Sequence, residues 1–341
     1  MRAYRKAAAG CALLLALATA GCAGQDDGGT VDETASAPSG SSGSSGSSGP
    51  ATAYAPYVSA TTASATDAAG SPATYNLAFV ISSGEDCVPR WNGVQDIDDA
   101  SVASRLTELR ASGAEVRVSF GGASGTELAA VCDSASSLAD AYGAALDAAG
   151  ATRADFDIEG DDLTDSDSVA LRSEAIALLR EERDDLEVSF TLPVMPTGLD
   201  ADSLSLLTSA NDHGVHVSTV NLMTMNYGES YDGDMGAYAL ASAEAAHTQL
   251  MDVFGTSDAD AWRGMALTSM LGVNDVAGET FTLADAAEVR AFADEKGIAW
   301  VSVWAAFRDR QCGDDAAAGD ELTTCSGVEQ EDGAFGEAFG S

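Results

Sequence analysis

Basic residues are scarce in this chain. Lys and Arg total 16 against 54 Asp and Glu in 341 residues, which gives a net charge of -38 and a pI near 4.1. Only Lys6 and Lys296 are lysines. A surface this acidic repels phosphate backbones, so nucleic acid is excluded as a partner, as is electrostatic docking onto anionic lipid. The same imbalance fits work in high salt, and a GC-rich genome leaves a similar Arg bias. Histidine is nearly absent: His213, His216 and His247 make no metal pair at helical spacing and read as surface residues. No Cys-x-x-Cys occurs to support zinc. No apolar run is long enough to cross a bilayer. Gly122-Ala123-Ser124-Gly125-Thr126 lacks the second glycine of a nucleophile elbow, which argues against serine hydrolysis. Neither a cofactor nor a metal is expected.

What is present divides the chain into three parts. Residues 1–22 read as an export signal, with Arg2, Arg5 and Lys6 followed by an apolar stretch over 7–18 and then small residues. Ala18-Thr19-Ala20 is one cleavage site. Ala20-Gly21-Cys22 resembles the end of a bacterial lipoprotein box, with Thr19 where such boxes usually carry Leu. On that reading Cys22 carries a lipid and anchors the protein to the outer face of the cell membrane; on the other, the protein is fully secreted. Residues 23–53 are mostly Gly, Ser, Asp and Thr and have the composition of a disordered linker. Residues 54–341 form the body. Its cysteines, Cys87, Cys132, Cys312 and Cys325, are even in number in an exported protein, which favours two disulfides. Sequence alone does not prove the pairing. Cys312 with Cys325 would close a short C-terminal loop and leave Cys87 for Cys132.

Apolar runs rich in Val, Ile, Phe and Leu recur along the body. They predict strands over 54–59, 75–82, 115–121, 154–159, 186–195, 218–227, 264–271 and 299–305. Amphipathic stretches predict helices over 100–112, 128–149, 168–185, 237–254 and 283–296. Strands alternating with helices imply a parallel sheet with right-handed crossovers, and eight units in about 270 residues imply a closed (β/α)8 TIM barrel. The connection over 60–74 is short, so its helix should be a turn or two at most. No second domain is visible.

In such barrels the chemistry sits at the C-terminal ends of strands. The fourth strand ends in Asp155-Phe156-Asp157-Ile158-Glu159-Gly160. Side chains alternate along a strand, so the three carboxylates share the inner face while Phe156 and Ile158 face the helices. Like charges about 7 Å apart at each two-residue step are costly where water is scarce, so one carboxyl should keep its proton, as a general acid must. An EF-hand reading fails because Ser166 stands where a bidentate Glu is required. A divalent-metal triplet and a purely structural acid cluster are the remaining rivals.

These residues, taken together, resemble the glycoside hydrolase family 18 chitinases, especially their secreted actinobacterial-type members. The resemblance spans the body. It rests on Asp155, Asp157 and Glu159; on Ser119-Phe120-Gly121-Gly122 in strand three; on Leu192-Pro193-Val194-Met195-Pro196 in strand five; on Asn221 through Gly228 in strand six; and on Trp304 at the end of strand eight. The pair Cys312 and Cys325 also looks like that subgroup's C-terminal pair.

The resemblance implies substrate-assisted, retaining hydrolysis of β-1,4-linked N-acetylglucosamine polymers or oligomers. Glu159 would be the acid and then the base, Asp157 would orient the substrate's acetamido group, and Asp155 would hold Asp157. Met223, Asn226 and Tyr227 would line the sugar subsite, and Trp304 would floor it. Gly121 and Gly122 would either touch sugar or serve close packing. The implied partner is chitin or a chito-oligosaccharide, with the chain a monomer and the membrane reached only through Cys22. Two departures stand out: Thr152 replaces the first Asp of the acidic motif, and Asn226, preceded by Met225, stands where many relatives carry Asp. Asn supplies no charge, so the pH profile is the property this change bears on. Two alternatives remain: an endo-β-N-acetylglucosaminidase acting on glycoprotein glycans, and a silent sugar-binding lipoprotein on the same barrel.

Overall fold

The computed structural model describes residues 51–341. The export signal, the lipid box at Cys22 and nearly all of the expected linker lie outside the described residues. Near the start of the described residues, the Thr52 hydroxyl donates to the Ala293 carbonyl at 3.1 Å.

All eight expected strands form. The first is split: Ala53–Tyr54 and Tyr57–Ser59, together β1, are parted at Ala55 and Pro56, because proline has no N–H to give to a ladder. The others are β2 (Thr74–Ser82), β3 (Glu115–Gly121), β4 (Arg153–Asp157), β5 (Glu187–Pro193), β6 (Val217–Met223), β7 (Met265–Met270) and β8 (Trp300–Trp304). Every pairing from β2 through β8 is parallel and sequential. The halves of β1 close the cylinder, Ala53–Tyr54 on β8 and Tyr57–Ser59 on β2. The (β/α)8 TIM barrel is therefore the observed architecture.

The helices between strands are α1 (Ala100–Arg110), α2 (Ala135–Ala149), α3 (Ser166–Glu182), α4 (Ala201–Asp212), α5 (Met235–Phe254) and α6 (Leu283–Lys296). The expected helix over 128–149 is broken, with a 3-10 turn at Leu128–Ala130 before α2. Helix α2 starts at the Ser134 cap, whose hydroxyl accepts the Ser137 N–H. It stops at Gly150, where φ of 57° leads the chain into β4. Turns without a helix fill residues 60–73.

Alternation along β4 sorts its side chains as the sequence implies. Phe156 faces outward and packs between Phe120, Tyr142 and Phe190 at ring separations of 5.3, 5.0 and 5.6 Å. Asp155 and Asp157 face inward, 1% and 5% exposed. Lower in the barrel, the buried Arg117 guanidinium donates to Asn76 Oδ1 at 2.7 Å and lies 4.0 Å over the Trp300 ring, so Trp300 belongs to the core. Behind the catalytic strand, a buried ion pair ties the β3 loop to α3. Glu127 accepts from Arg172 at 2.8 Å, from Tyr142 at 2.9 Å and from the Ala129 N–H at 2.7 Å.

Cys87 pairs with Cys132 and Cys312 with Cys325, across 45 and 13 residues. Closing loops of those lengths removes about 3–4 kcal/mol each of unfolded-chain entropy in the chain-entropy picture. Trp91 is fully buried and donates to the Ile97 carbonyl at 3.3 Å, so it anchors its loop. His213 and His216 are exposed as expected, but His247 is not: it is 8% exposed and stacks on Trp262 at 4.0 Å.

Candidate active site

The inner face of β4 ends in a polar layer built from five other strands. Asp155 accepts at Oδ2 from Tyr57 (2.9 Å, β1) and Ser119 (2.7 Å, β3), and at Oδ1 from Ser189 (2.7 Å, β5). Thr191, on β5, lies 2.9 Å from Oδ1 and 3.0 Å from Oδ2. Asn221 on β6 donates to Thr191 at 2.9 Å and accepts from Thr268 on β7 at 2.8 Å. A buried carboxyl group with this many hydroxyl partners is held in a fixed position. Burial lifts the Tyr57 phenol well above its ordinary range, so it remains a donor at any working pH.

Asp157 lies one step nearer the strand tip. At Oδ1 it receives no hydrogen bond from a described N–H or O–H group; its partner is the Glu159 carboxyl. Burial, and then the charges of Glu159 and Asp155, push Asp157 well above the carboxylate range. Burial also raises Glu159, while its hydrogen bond with Asp157 opposes the rise and the Asp275 charge adds to it. Burial beside a second carboxyl therefore favours the protonated form of Asp157. Glu159 stands just past the end of β4, half-buried at the mouth.

Both acids line a pocket of about 90 Å³ with Met223, Asn226, Trp304 and Phe79. The Trp304 ring stacks at 5.5 Å on Phe79 and meets Tyr57 edge-on at 5.8 Å, which fixes an indole surface below the acids. This floor suits the apolar face of a pyranose ring.

Comparisons with known proteins agree on what carries such a site. No family model matches the chain. It is 34% identical over 275 residues, 75% of its length, to a probable bifunctional chitinase/lysozyme of Escherichia coli K12, and 32% identical over 274 residues to Endochitinase 11 of Metarhizium anisopliae. The chain spans 31% and 52% of the length of these two curated relatives. Active domain 2 of a chitinase from Pyrococcus furiosus superposes with a TM-score of 0.74 at 28% identity, covering 85% of this chain and 94% of that one. Catalytic-site mutants of that domain have been solved with chito-oligosaccharides. A GH18 chitinase from Pseudoalteromonas aurantia shares the fold at 13% identity, with a TM-score of 0.54. The chain is similar to chitinases, and its fold is that of their catalytic domains, glycoside hydrolase family 18 chitinases among them.

In this barrel, most residues expected at the site converge on it, and three do not. Tyr227 turns away. Strand β6 ends at Met223, and the loop that follows carries the Tyr227 ring outward against Tyr231 and Tyr238 at 5.8 and 6.0 Å, with its hydroxyl accepting from Ser242 at 3.3 Å. Gly121 and Gly122 do not line the pocket; close packing is their role. A Cβ on Gly121 would stand 2.2 Å from the Asp157 carbonyl oxygen, and one on Gly122 would meet the Phe79 ring at 2.9 Å. Gly122 also donates its N–H to the Asp157 carbonyl at 2.8 Å. Both have positive φ, 94° and 91°, which glycine adopts without strain. They act on the site by letting Asp157 and Phe79 come close.

The structure adds Tyr57, Phe79, Thr191 and Asp275, none of which the sequence reading singled out. Asp275 sits in the loop after β7 and receives a hydrogen bond from Asn226 Nδ2 at 3.3 Å, while Asn226 Oδ1 accepts the Val276 N–H at 3.3 Å. The charge that Asn226 lacks is thus supplied by its neighbour. Elsewhere, Asp234, Asp285 and Glu288 bring carboxylate oxygens within 4.8 Å of one another. Two of them are engaged at helix starts: Asp234 accepts from Ala237 N–H and Asp285 from Thr282 N–H.

Proposed function

We propose that this protein hydrolyses β-1,4-linked N-acetylglucosamine chains with retention at the anomeric carbon, using the substrate's own acetamido group as nucleophile. The observation that carries the reading is that Asp157, Glu159 and Trp304 line one pocket, with both carboxyls raised by burial. The proton passes from Asp157 to Glu159, and Glu159 delivers it to the glycosidic oxygen as that bond breaks. The acetamido carbonyl oxygen closes on the anomeric carbon to form an oxazolinium cation, beside which Asp157 is left ionised. Glu159, now a carboxylate, takes a proton from the water that opens the ring and restores the acetamide. Two displacements at one carbon give retention. Asp155, held by four hydroxyl side chains, is a fixed support beneath Asp157.

The relatives named for chitin support the substrate class, and the presence of Glu159 in the pocket favours an enzyme over a silent sugar binder. Export, with Cys22 lipidated and the barrel working as a monomer outside the cell, completes the proposal and rests on the sequence of residues 1–53. Fluorophore release from chitobiose and chitotriose conjugates tests the reaction. Wild type should turn over and Glu159→Gln should not. An inactive wild type that still binds the oligomers would overturn the hydrolase reading, and cleavage of high-mannose glycopeptides instead would redirect it.

A further inference from the structure

The loop after β7 carries two carboxyls with different surroundings. Residues 274–279 form one tight turn, in which Glu279 donates its N–H to the Val276 carbonyl at 3.2 Å and accepts the Asn274 N–H at its own carbonyl at 3.1 Å. The short antiparallel pairing of Gly272–Val273 with Thr280–Phe281 fixes the ends of that turn. Asp275 lines the catalytic pocket. Glu279 does not: it is 1% exposed and makes no ion pair among the described residues. Burying an acid without a cation is costly unless hydrogen bonds replace the lost water, so its partners show what it is for.

Those partners belong to the loop after β6. Gly228 donates its N–H to Glu279 Oε1 at 2.9 Å. Burial pushes the Glu279 carboxyl up from its ordinary range, and the N–H groups of Gly228, Asn226 and Tyr227 counter that rise. The Tyr227 phenol, on the same loop, is its titratable neighbour. This stretch of backbone needs a clamp. Asn226 has a φ of 55° and Gly228 of 112°, and the left-handed conformation is one that a residue with a side chain keeps only where contacts impose it. Consecutive N–H groups about such a residue form a concavity suited to a carboxylate oxygen. The bonds of the Asn226 side chain, to Asp275 Oδ2 and from the Val276 N–H, are longer, both at 3.3 Å. The shorter contact, to the buried acid, therefore sets the path of the loop.

We propose that Glu279 is a positioning residue: it clamps the β6 loop to the β7 loop and so sets Asn226 and Asp275 against Glu159, without touching substrate itself. This rests on the hydrolase reading and adds to it a residue outside the pocket. Glu159 is faced by Asp157 from β4 and by Asp275 from the β7 loop, and the Asp275 charge raises its proton affinity. Opening the clamp releases Asp275 from its place, so the acid gives up its proton at lower pH.

Two variants open it from different sides. Glu279→Met keeps the side-chain length and removes both oxygens, while Gly228→Ala leaves Glu279 intact and puts a Cβ into open space on a backbone whose φ side chains rarely adopt. In each, kcat/KM on the chitotriose conjugate should fall about tenfold, the loss of one hydrogen bond to a carboxylate, and the alkaline limb of its pH profile should move to lower pH. Glu279→Gln keeps an acceptor for Gly228 and should stay within about threefold of wild type. In the Asp275→Asn background neither variant should move the limb further, because the clamp acts through that charge. A limb that stays in place in both folded variants, or moves as far without Asp275 as with it, would overturn the proposal. Titration of the Glu159 carboxyl carbon by NMR, assigned by its loss in Glu159→Gln, reads the same shift without turnover. If wild type cleaves no conjugate, the hydrolase reading falls, and that titration still decides whether Glu279 positions the acid's neighbours.

Discussion

Removing one oxygen atom, in Tyr57→Phe, tests whether the layer beneath the catalytic acids does chemical work. The Tyr57 hydroxyl is buried and donates to Asp155 Oδ2 at 2.9 Å, stands 2.9 Å from Thr191 Oγ1 and accepts from Asn221 at 3.3 Å. A hydrogen bond to a charged group contributes about 1.5–3 kcal/mol net, and the phenylalanine ring keeps the packing against Phe79 and Trp304. If the lost contact were felt only in the folded state, Tm should drop by about 3–10 °C for a domain of this size. If Asp155 must be held for Asp157 to face the cation, the same energy appears in the barrier and kcat falls about 10- to 150-fold. The hydroxyl points at Asp155, so KM should stay within about threefold, because substrate binding in the ground state is untouched. The assay is steady-state hydrolysis of a chitotriose conjugate, with the unfolding of the same preparation followed by calorimetry. A kcat within about twofold of wild type, alongside the expected fall in Tm, would show that the Asp155 network only stabilises the barrel and would refute the reasoning.

Two further perturbations address the charges around the site. The Asp275 carboxylate raises the proton affinity of Glu159, which keeps the acid protonated to higher pH; Asp275→Asn should therefore move the alkaline limb of the kcat/KM profile to lower pH, and an unmoved limb would make Asp275 a bystander. Arg172 and Glu127 are 1% and 2% exposed, so Arg172→Met strands a buried carboxylate and should cost about 3–5 kcal/mol in denaturant unfolding, largely recovered in the double variant with Glu127→Gln. A loss below about 1 kcal/mol would mean that Glu127 is protonated or hydrated once its partner is gone.

Much of the site was legible because it lies on one strand. Asp155 and Asp157 are two residues apart, and strand alternation puts them on the inner face with Phe156 behind; Glu159, two residues further and just past the strand end, keeps to the same side and lines the pocket. Trp304 and Met223 were equally accessible, since each closes a strand. Tyr227 was not, because its direction depends on where β6 stops: alternation holds only while the chain is extended, and the chain leaves the strand after Met223. The same break puts Asn226 at a φ of 55° and turns its amide toward Asp275, a contact spanning 49 residues that no local pattern announces.

The sequence by itself determined the order of the strands, the inward carboxylates Asp155 and Asp157, the choice of Glu159 as the candidate acid and the four cysteines available for pairing. These follow from periodicity and residue type, which act over a few residues. Tertiary structure decided what surrounds that acid. Tyr57 reaches Asp155 across 98 residues, Phe79 is admitted by the missing side chain of Gly122, and Asp275 arrives on a loop three strands away from β4. Closing the cylinder brings these groups to one rim. Only there do burial and the charges of neighbouring carboxylates push Asp157 and Glu159 up from the ordinary carboxylate range and separate them from the many carboxylates that merely face water.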